Sequence, residues 1–255
     1  MVTNLFKDQV TVITGAGQGI GFEIARQLAI NGASVLLNDI DENLAKQAAA
    51  KISNQGICYP VVGDASDVNF IRGLVDEAVN RFGKLNIAIA NAGITLYGDF
   101  FEYKPEALQQ VMNLNLSGSF FLVQAAATQM KKQPAGGSIL LMSSVTGHQA
   151  HRNLSAYGMT KAALEMLAKT LVIELSPFNI SINAIAPGAT KTERTISDPG
   201  YDKIWSQITP IGKPATVADI ANAALFMISP ASRHITGQSL IIDGGWTSVS
   251  PSPYD

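Results

Sequence analysis

Short β-branched runs alternate with helical stretches from one end of this chain to the other, and that alternation constrains its fold more than any other feature. Segments 10–14, 34–38, 57–62, 85–90, 138–143, 180–186 and 240–242 read as seven strands. Most are continuously apolar rather than alternating, as expected of strands covered on both faces. Helical candidates fill the intervals at 19–31, 42–54, 67–82, 102–133, 154–176 and 216–229. Asp67 is placed to cap its helix, and Thr216 with Asp219 three residues later has the form of a capping box. The pattern predicts an α/β protein, a parallel sheet with right-handed crossovers and helices on both faces.

Composition narrows the class. The 255 residues are 47% hydrophobic and 15% charged, enough to bury a large core and too apolar for disorder. Eighteen Lys and Arg against 20 Asp and Glu argue against nucleic-acid or anionic-membrane partners. The uncharged run 107–130 is long enough to span a bilayer, but its Gln and Asn residues mark it as a buried helix. Cys58 is the only cysteine, which excludes intramolecular disulfides and thiolate zinc clusters. A strand-like run already begins at Val10, so no secretory leader is read and the expected location is cytoplasmic. No composition break divides the chain, and residues 1–255 are read as one domain. Segment 187–216, rich in Pro and Gly, reads as a long irregular substrate-binding loop. The tail from Thr247, with Pro251 and Pro253, reads as disordered or docked on a neighbouring subunit.

The first strand runs into a glycine turn, Gly15-Ala-Gly17-Gln18-Gly19-Ile20-Gly21, and then into a helix. Glycines let the backbone turn tightly, and a helix start offers free N–H groups and the positive end of its dipole. A pyrophosphate suits that place, although the strict G-x-G-x-x-G spacing is not met. The second strand ends at Asp39, whose carboxylate can bind ribose hydroxyls and repel a 2′-phosphate. With Gln18 rather than a cation in the turn, NAD is expected over NADP. Asp64, followed by Ala65, is a candidate for the adenine edge or a helix cap.

Tyr157 and Lys161 are one helical turn apart on one face, thirteen residues after Ser144 at a strand end. Together with the glycine turn, Asn91-Ala-Gly93, Asn115, Pro187-Gly188 and Thr236-Gly237, these residues resemble the short-chain dehydrogenase/reductase family over essentially the whole length. The resemblance implies a doubly wound Rossmann sheet of seven strands and hydride transfer between NAD(P) and an alcohol or carbonyl. It implies Tyr157 as general acid/base, Lys161 as its activator, Ser144 as donor to the substrate oxygen, and Asn115 as a proton-relay residue. Asn91 and Gly93 would pass beneath the cofactor ribose. Pro187, Gly188 and the hydroxyls of Thr190 or Thr192, the latter ranked first, would hold the nicotinamide carboxamide. A homotetramer is also implied, and surplus apolar faces on helices 102–133 and 154–176 agree with it.

A free tyrosine titrates near ~10, so acting as a base requires its pKa to fall by two to three units, about 3–4 kcal/mol. A neighbouring ammonium and the nicotinamide charge are the expected sources. Asn115 in mid-helix suggests a local helix distortion. The loop between Ser144 and Tyr157 carries His148, Gln149 and His151, and Arg194 follows the later Pro-Gly; all four are substrate candidates. Burying such groups on an acyl chain would leave them unpaired, so a sugar, polyol or sugar acid is the expected substrate, for example a hemiacetal oxidised at its anomeric carbon. The rival readings are an NADPH-dependent 3-oxoacyl-[acyl-carrier-protein] reductase and a non-catalytic NAD-binding protein. His148 and His151 have no third ligand at metal-site spacing, so no metal is expected.

Overall fold

The structure, a computed structural model, describes residues 4–250; Pro251 and Pro253 lie outside them. Seven strands form one sheet in the order β3-β2-β1-β4-β5-β6-β9, with every pair parallel. They are β1 (Val10–Ile13), β2 (Ser34–Asp39), β3 (Ile57–Val62), β4 (Ile87–Ala90), β5 (Gly137–Met142), β6 (Ile180–Pro187) and β9 (Ser239–Ile242). The central four-residue strands β1 and β4 are buried along their whole length, which is why the sequence shows no alternation there. β4 starts two residues later than predicted. Leu85 lies outside the ladder, its amide donating to Gln133 Oε1 and its carbonyl accepting from Gln133 Nε2.

Helices cover both faces. On one face α1 (Gly19–Ile30), α2 (Glu42–Ser53) and α9 (Val217–Ile228) bury Ile24, Leu28, Ile52 and Met227 against Ile13, Leu37 and Ile185. On the other, α3 (Val68–Phe82), α5 (Ser119–Met130) and α6 (Ser155–Thr170) bury Ile71, Leu74, Leu122, Met130 and Leu164 against Val12, Ala88 and Leu141. Large apolar side chains removed fully from water contribute about 1.5–3 kcal/mol each, so these two layers fix the strand order. The predicted caps form: Asp67 accepts from the amide of Asn69 at 2.8 Å, and Thr216 and Asp219 make the reciprocal capping box. Cys58 is buried on β3, and burial pushes its thiol up to about 12, so it behaves as a small apolar side chain.

Three predicted elements are corrected. The single helix expected over 102–133 is a 3₁₀ turn at Phe100–Glu102, then α4 (Pro105–Val111), a π-helical turn over Met112–Gly118, and α5. The π turn sits where Gly118 meets Ala65: a Cβ there would lie 2.2 Å from the Ala65 carbonyl oxygen. Segment 187–216 is not irregular throughout. It holds a two-stranded ribbon, β7 (Thr190–Lys191) with β8 (Ala215–Thr216), and the helix α8 (Tyr201–Ile208). That helix is eight residues long between Pro199-Gly200 and Pro210, and the breakers masked its Tyr201, Ile204, Trp205, Ile208 stripe. The 154–176 helix likewise ends at Thr170, with a further turn, α7, at Val172–Leu175.

The strand order reverses between β1 and β4. In open α/β sheets the crevice beyond the carboxyl ends of the strands at that reversal is where ligands bind. Both the glycine turn after β1 and the Asn91 segment after β4 open there. No helix among the described residues is long and apolar enough to cross a membrane.

Candidate active site

A cleft of about 420 Å³ runs along this crevice. One end is lined by Gly15, Gln18, Gly19, Ile20, Gly21, Asp39, Asp64 and Ala65, the middle by Asn91 to Thr95, and the other end by Tyr157, Lys161 and Thr192 to Arg194. The sequence thus brings together side chains more than 170 positions apart. Three glycines of the turn are needed for packing. A Cβ on Gly17 would lie 2.7 Å from Asp39 Oδ2, on Gly15 2.7 Å from the Cα of Ala92, and on Gly21 2.5 Å from Asn91 Nδ2. Gly19 shares a positive φ with Gly15, +63° against +61°, but its open side faces the cleft, with Thr192 and Glu193 the nearest neighbours at 3.7–3.8 Å.

The turn is tied to both flanking strands. Asp39 Oδ2 accepts from the Gly17 amide at 2.9 Å, and its Oδ1 accepts from the Asp41 amide at 3.1 Å. Asn91 Nδ2 donates to the carbonyls of Thr14 and Gly15, and Thr14 Oγ1 accepts from the amides of Asn91 and Ala92. Asn91 is therefore a brace for the turn. Asp64 accepts from the Ser66 amide at 2.8 Å, a local turn bond, while still lining the cleft. Ile40 and Leu44, not singled out from sequence, add apolar wall beside Asp39.

Asn115 stands at the centre of the π turn, fully buried. Its Oδ1 accepts from the Ile94 amide at 2.8 Å, and its Nδ2 donates to the Ile94 carbonyl and to Thr160 Oγ1. The distortion expected from sequence is present, and the side chain bonds both the segment after β4, through Ile94, and α6, through Thr160. Its side chain ties that segment in place, and its main-chain oxygen accepts from Ser119 Oγ at 2.8 Å. Gly93 sits between the two groups: a Cβ on it would be 3.2 Å from Asn115 Oδ1 and 3.4 Å from Lys161 Nζ.

Tyr157 and Lys161 lie on α6, and Ser144 leads the 3₁₀ turn Val145–Gly147 after β5. The Tyr157 hydroxyl is in polar contact with Ser144 and Thr95, and Arg194 adds its charge nearby. Lys161 is buried; its Nζ donates to the Met142 carbonyl at 2.8 Å and lies 5.3 Å from the centre of the Tyr157 ring. Burial pushes its ammonium down to about 8. The expected lowering of the tyrosine pKa is not found in the protein alone. Burial raises it, and the contacts with Ser144 and Thr95 and the Arg194 charge offset that only in part. Lys161 makes its hydrogen bond to the Met142 carbonyl and none to the Tyr157 hydroxyl.

The remaining candidates separate. Thr192 lines the cleft, whereas Thr190 is buried and its hydroxyl donates to the Gly188 carbonyl at 3.0 Å. Pro187 and Gly188 close β6, where Gly188 packs on Asp243, and they do not line the cleft. Arg194 does line it. His148 does not: Glu165 lies 2.8 Å from its Nε2 and holds it on α6. Gln149 is exposed outside the cleft wall. His151 stacks on Trp246 with ring centres 5.0 Å apart, and Trp246 meets Trp205 edge-on at 5.2 Å. Its Nε2 is buried without a partner, and burial lowers its pKa. Neither tryptophan was singled out from sequence, since one lies in the unpredicted α8 and the other just after the last strand, ahead of the tail.

Comparison with known proteins agrees with this geometry. The family model described as enoyl-(acyl carrier protein) reductase matches residues 15–247. The chain is 36% identical over 252 residues to L-rhamnose-1-dehydrogenase of Scheffersomyces stipitis, covering 96% of this chain and 98% of that protein. It is 32% identical over 249 residues to L-rhamnose 1-dehydrogenase (NAD(P)(+)) of Azotobacter vinelandii, covering 94% and 97%. A solved 7α-hydroxysteroid dehydrogenase, complexed with NADH and 7-oxo glycochenodeoxycholic acid, matches with a TM-score of 0.90 at 33% identity over 96% of each chain. The chain belongs to the short-chain dehydrogenase/reductase family of NAD(P)-dependent oxidoreductases.

Proposed function

We propose that this enzyme uses NAD to oxidise a sugar, at its anomeric hydroxyl, or a related polyol or sugar acid. The observation that carries the reading is the cleft itself: an acidic, cation-free end at Asp39 and Gln18, and a catalytic end lined by Tyr157 and Lys161, with Ser144 beside the Tyr157 hydroxyl. The glycine turn and α1 would hold the pyrophosphate, Asp39 the adenosine ribose, Asn91 to Gly93 and Lys161 the second ribose, and Thr192 the carboxamide. When bound, the dinucleotide supplies the hydride acceptor. Tyr157 takes the proton of the substrate hydroxyl, Ser144 donates to the same oxygen as charge develops, and Lys161 holds positive charge beside the ring. Asn115 keeps Ile94 and the Gly93 bend in place.

For the substrate, the support is the polar and aromatic character of the surrounding groups. Arg194, which lines the cleft, suits a carboxylate or several hydroxyls, and we assign to the far side of the substrate the His151, Trp246 and Trp205 cluster, which stands outside the cleft wall and offers flat apolar faces with one unpaired imidazole nitrogen. The two rhamnose dehydrogenases support the same class. A screen of aldoses, polyols and acetoacetyl thioesters, followed by nicotinamide absorbance, tests it. The best sugar is expected to exceed any acetoacetyl thioester in kcat/KM. In His151→Ala, KM is expected to rise more for that sugar than for a simple cyclic alcohol. A thioester that wins the screen overturns the reading in favour of a 3-oxoacyl reductase. NADH binding without turnover of any alcohol or ketone would favour a non-catalytic protein.

We further propose a cytoplasmic homotetramer. Phe120 on α5, Met166 on α6 and Ile173 on the short α7 are 41%, 57% and 84% exposed, and Met112, Leu116, Phe120 and Phe121 line a shallow groove. Leu240 and Ile241 are exposed on β9 at the sheet edge. Light scattering at micromolar concentration is expected to give about four times the 27.0 kDa chain mass, and a monomeric mass would reject the assembly.

A further inference from the structure

Glu165 is a largely buried carboxylate that the mechanism above leaves unused. It lies on α6 four residues after Lys161 and eight after Tyr157, on the same face. Its Oε1 accepts from Ser143 Oγ at 2.5 Å and lies 2.8 Å from His148 Nε2. Ser143 Oγ is also 3.0 Å from the main-chain oxygen of Lys161. Ser143 immediately precedes Ser144, and His148 immediately follows the 3₁₀ turn that Ser144 opens. One carboxylate oxygen therefore grips both ends of the 143–148 segment.

The turn rides directly on the helix. A Cβ on Gly147 would lie 3.0 Å from the Ala162 amide nitrogen and 3.2 Å from Glu165 Oε1. A Cβ on Gly158 would lie 2.8 Å from the Thr146 carbonyl oxygen. With no side chain to space the two apart, small movements of the segment change where Ser144 Oγ points. That oxygen accepts from the Thr146 amide at 3.3 Å, a long bond that by itself fixes it poorly.

We infer that Glu165 is a positioning residue for the reaction, which holds Ser143 and His148 so that Ser144 Oγ stays directed at the Tyr157 hydroxyl. The inference rests on the catalytic assignment of Ser144 and Tyr157. Glu165 touches neither substrate nor cofactor; it acts through Ser144. Loss of the carboxylate lets the segment relax, which misplaces a donor in the transition state and leaves the dinucleotide end of the cleft untouched.

The test is a double-mutant cycle in kcat, using NAD and the sugar with the highest kcat/KM in the screen, with NADH Kd and Tm measured on every variant. Glu165→Ala is expected to lower kcat about 10-fold with NADH Kd within about twofold of native. Glu165→Gln, whose amide oxygen can accept the same two bonds, is expected to recover most of that loss. His148→Ala cuts one of the two grips and is expected to cost about threefold, less than additively with Glu165→Ala. In a Ser144→Ala background Glu165→Ala is expected to change the residual kcat by less than about twofold. Equal effects of Glu165→Ala in both backgrounds, or a native kcat in Glu165→Ala, would overturn the inference. A Ser144→Ala enzyme with native kcat would instead overturn the active-site reading. If Glu165→Ala does not fold, the cycle of His148→Ala with Ser144→Ala decides, additive effects counting against the inference.

Discussion

Tyr157→Phe is expected to lower kcat by ~10²–10⁴-fold, the range that a positioned proton acceptor contributes, while NADH Kd changes by less than about threefold. The substitution removes one oxygen and keeps the ring, so the packing on Lys161, 5.3 Å from the ring centre, survives. Lys161→Ala is expected to weaken both turnover and NADH binding, because its ammonium stands beside the ring and, in the proposed mechanism, holds the second ribose. The pH dependence follows from the same residues. Burial favours the neutral phenol and opposes the phenolate that oxidation needs, so the oxidative rate is expected to rise with pH. Reduction needs the proton on Tyr157 and is expected to fall as pH rises. Lys161, held at about 8, loses its charge in the same window, which limits the oxidative rise on the alkaline side. Absorbance assays in both directions from pH 6 to 10, with fluorescence titration of NADH, measure all of this. A Tyr157→Phe enzyme that keeps even about a tenth of native kcat would refute the assignment.

The sheet was legible because burial on both faces leaves the central strands without alternation and the edge strands β3 and β9 are still β-branched and apolar, and each such run in the sequence became a strand within about two residues. The positions of Asp39, Asn91, Ser144 and Tyr157 followed from it, since all stand at or just beyond carboxyl ends of strands or on the helix beside them. Less visible was what each side chain bonds to. His148 and His151 look alike in sequence, two polar residues in one loop, yet one is held by Glu165 and the other stacks on Trp246. That difference depends on α6 and on residues almost a hundred positions away, which no local pattern carries. The helix α8 was hidden for another reason. Its eight residues span barely two turns, too short for periodicity to stand out between prolines and glycines. Asn115 illustrates the middle ground: helix propensity flagged it as out of place, and the π turn explains its position. Only the coordinates show that its amide is spent on Ile94 and Thr160.

Selectivity for NAD over NADP should depend on one carboxylate. A 2′-phosphate brings about 1.5 to 2 negative charges, and a like charge facing it across a partly screened cleft costs about 1.4–2.7 kcal/mol, or roughly 10- to 100-fold in kcat/KM. The cleft offers no compensation at that end. Its two cationic lining residues, Lys161 and Arg194, stand at the catalytic end, and Gln18 occupies the turn. Native enzyme is therefore expected to prefer NAD by at least about tenfold in kcat/KM. Asp39 also accepts from the amides of Gly17 and Asp41, so Asp39→Ala would disturb the turn as well as the charge. Asp39→Asn separates the two effects. Its amide oxygen can keep the Gly17 bond at the 2.9 Å position while the charge is gone, so the NAD to NADP ratio is expected to fall mainly through faster use of NADP. Adding Gln18→Arg places a guanidinium where a 2′-phosphate can be held and is expected to bring the ratio to one or below. If native enzyme prefers NADP, or if Asp39→Asn leaves the ratio unchanged, the carboxylate is not what selects the dinucleotide. The name of the Azotobacter vinelandii relative, which includes both cofactors, makes the size of the native ratio the more informative measurement. A ratio near one with Asp39 intact would mean that the cleft opens beside the ribose far enough for water to screen the two charges.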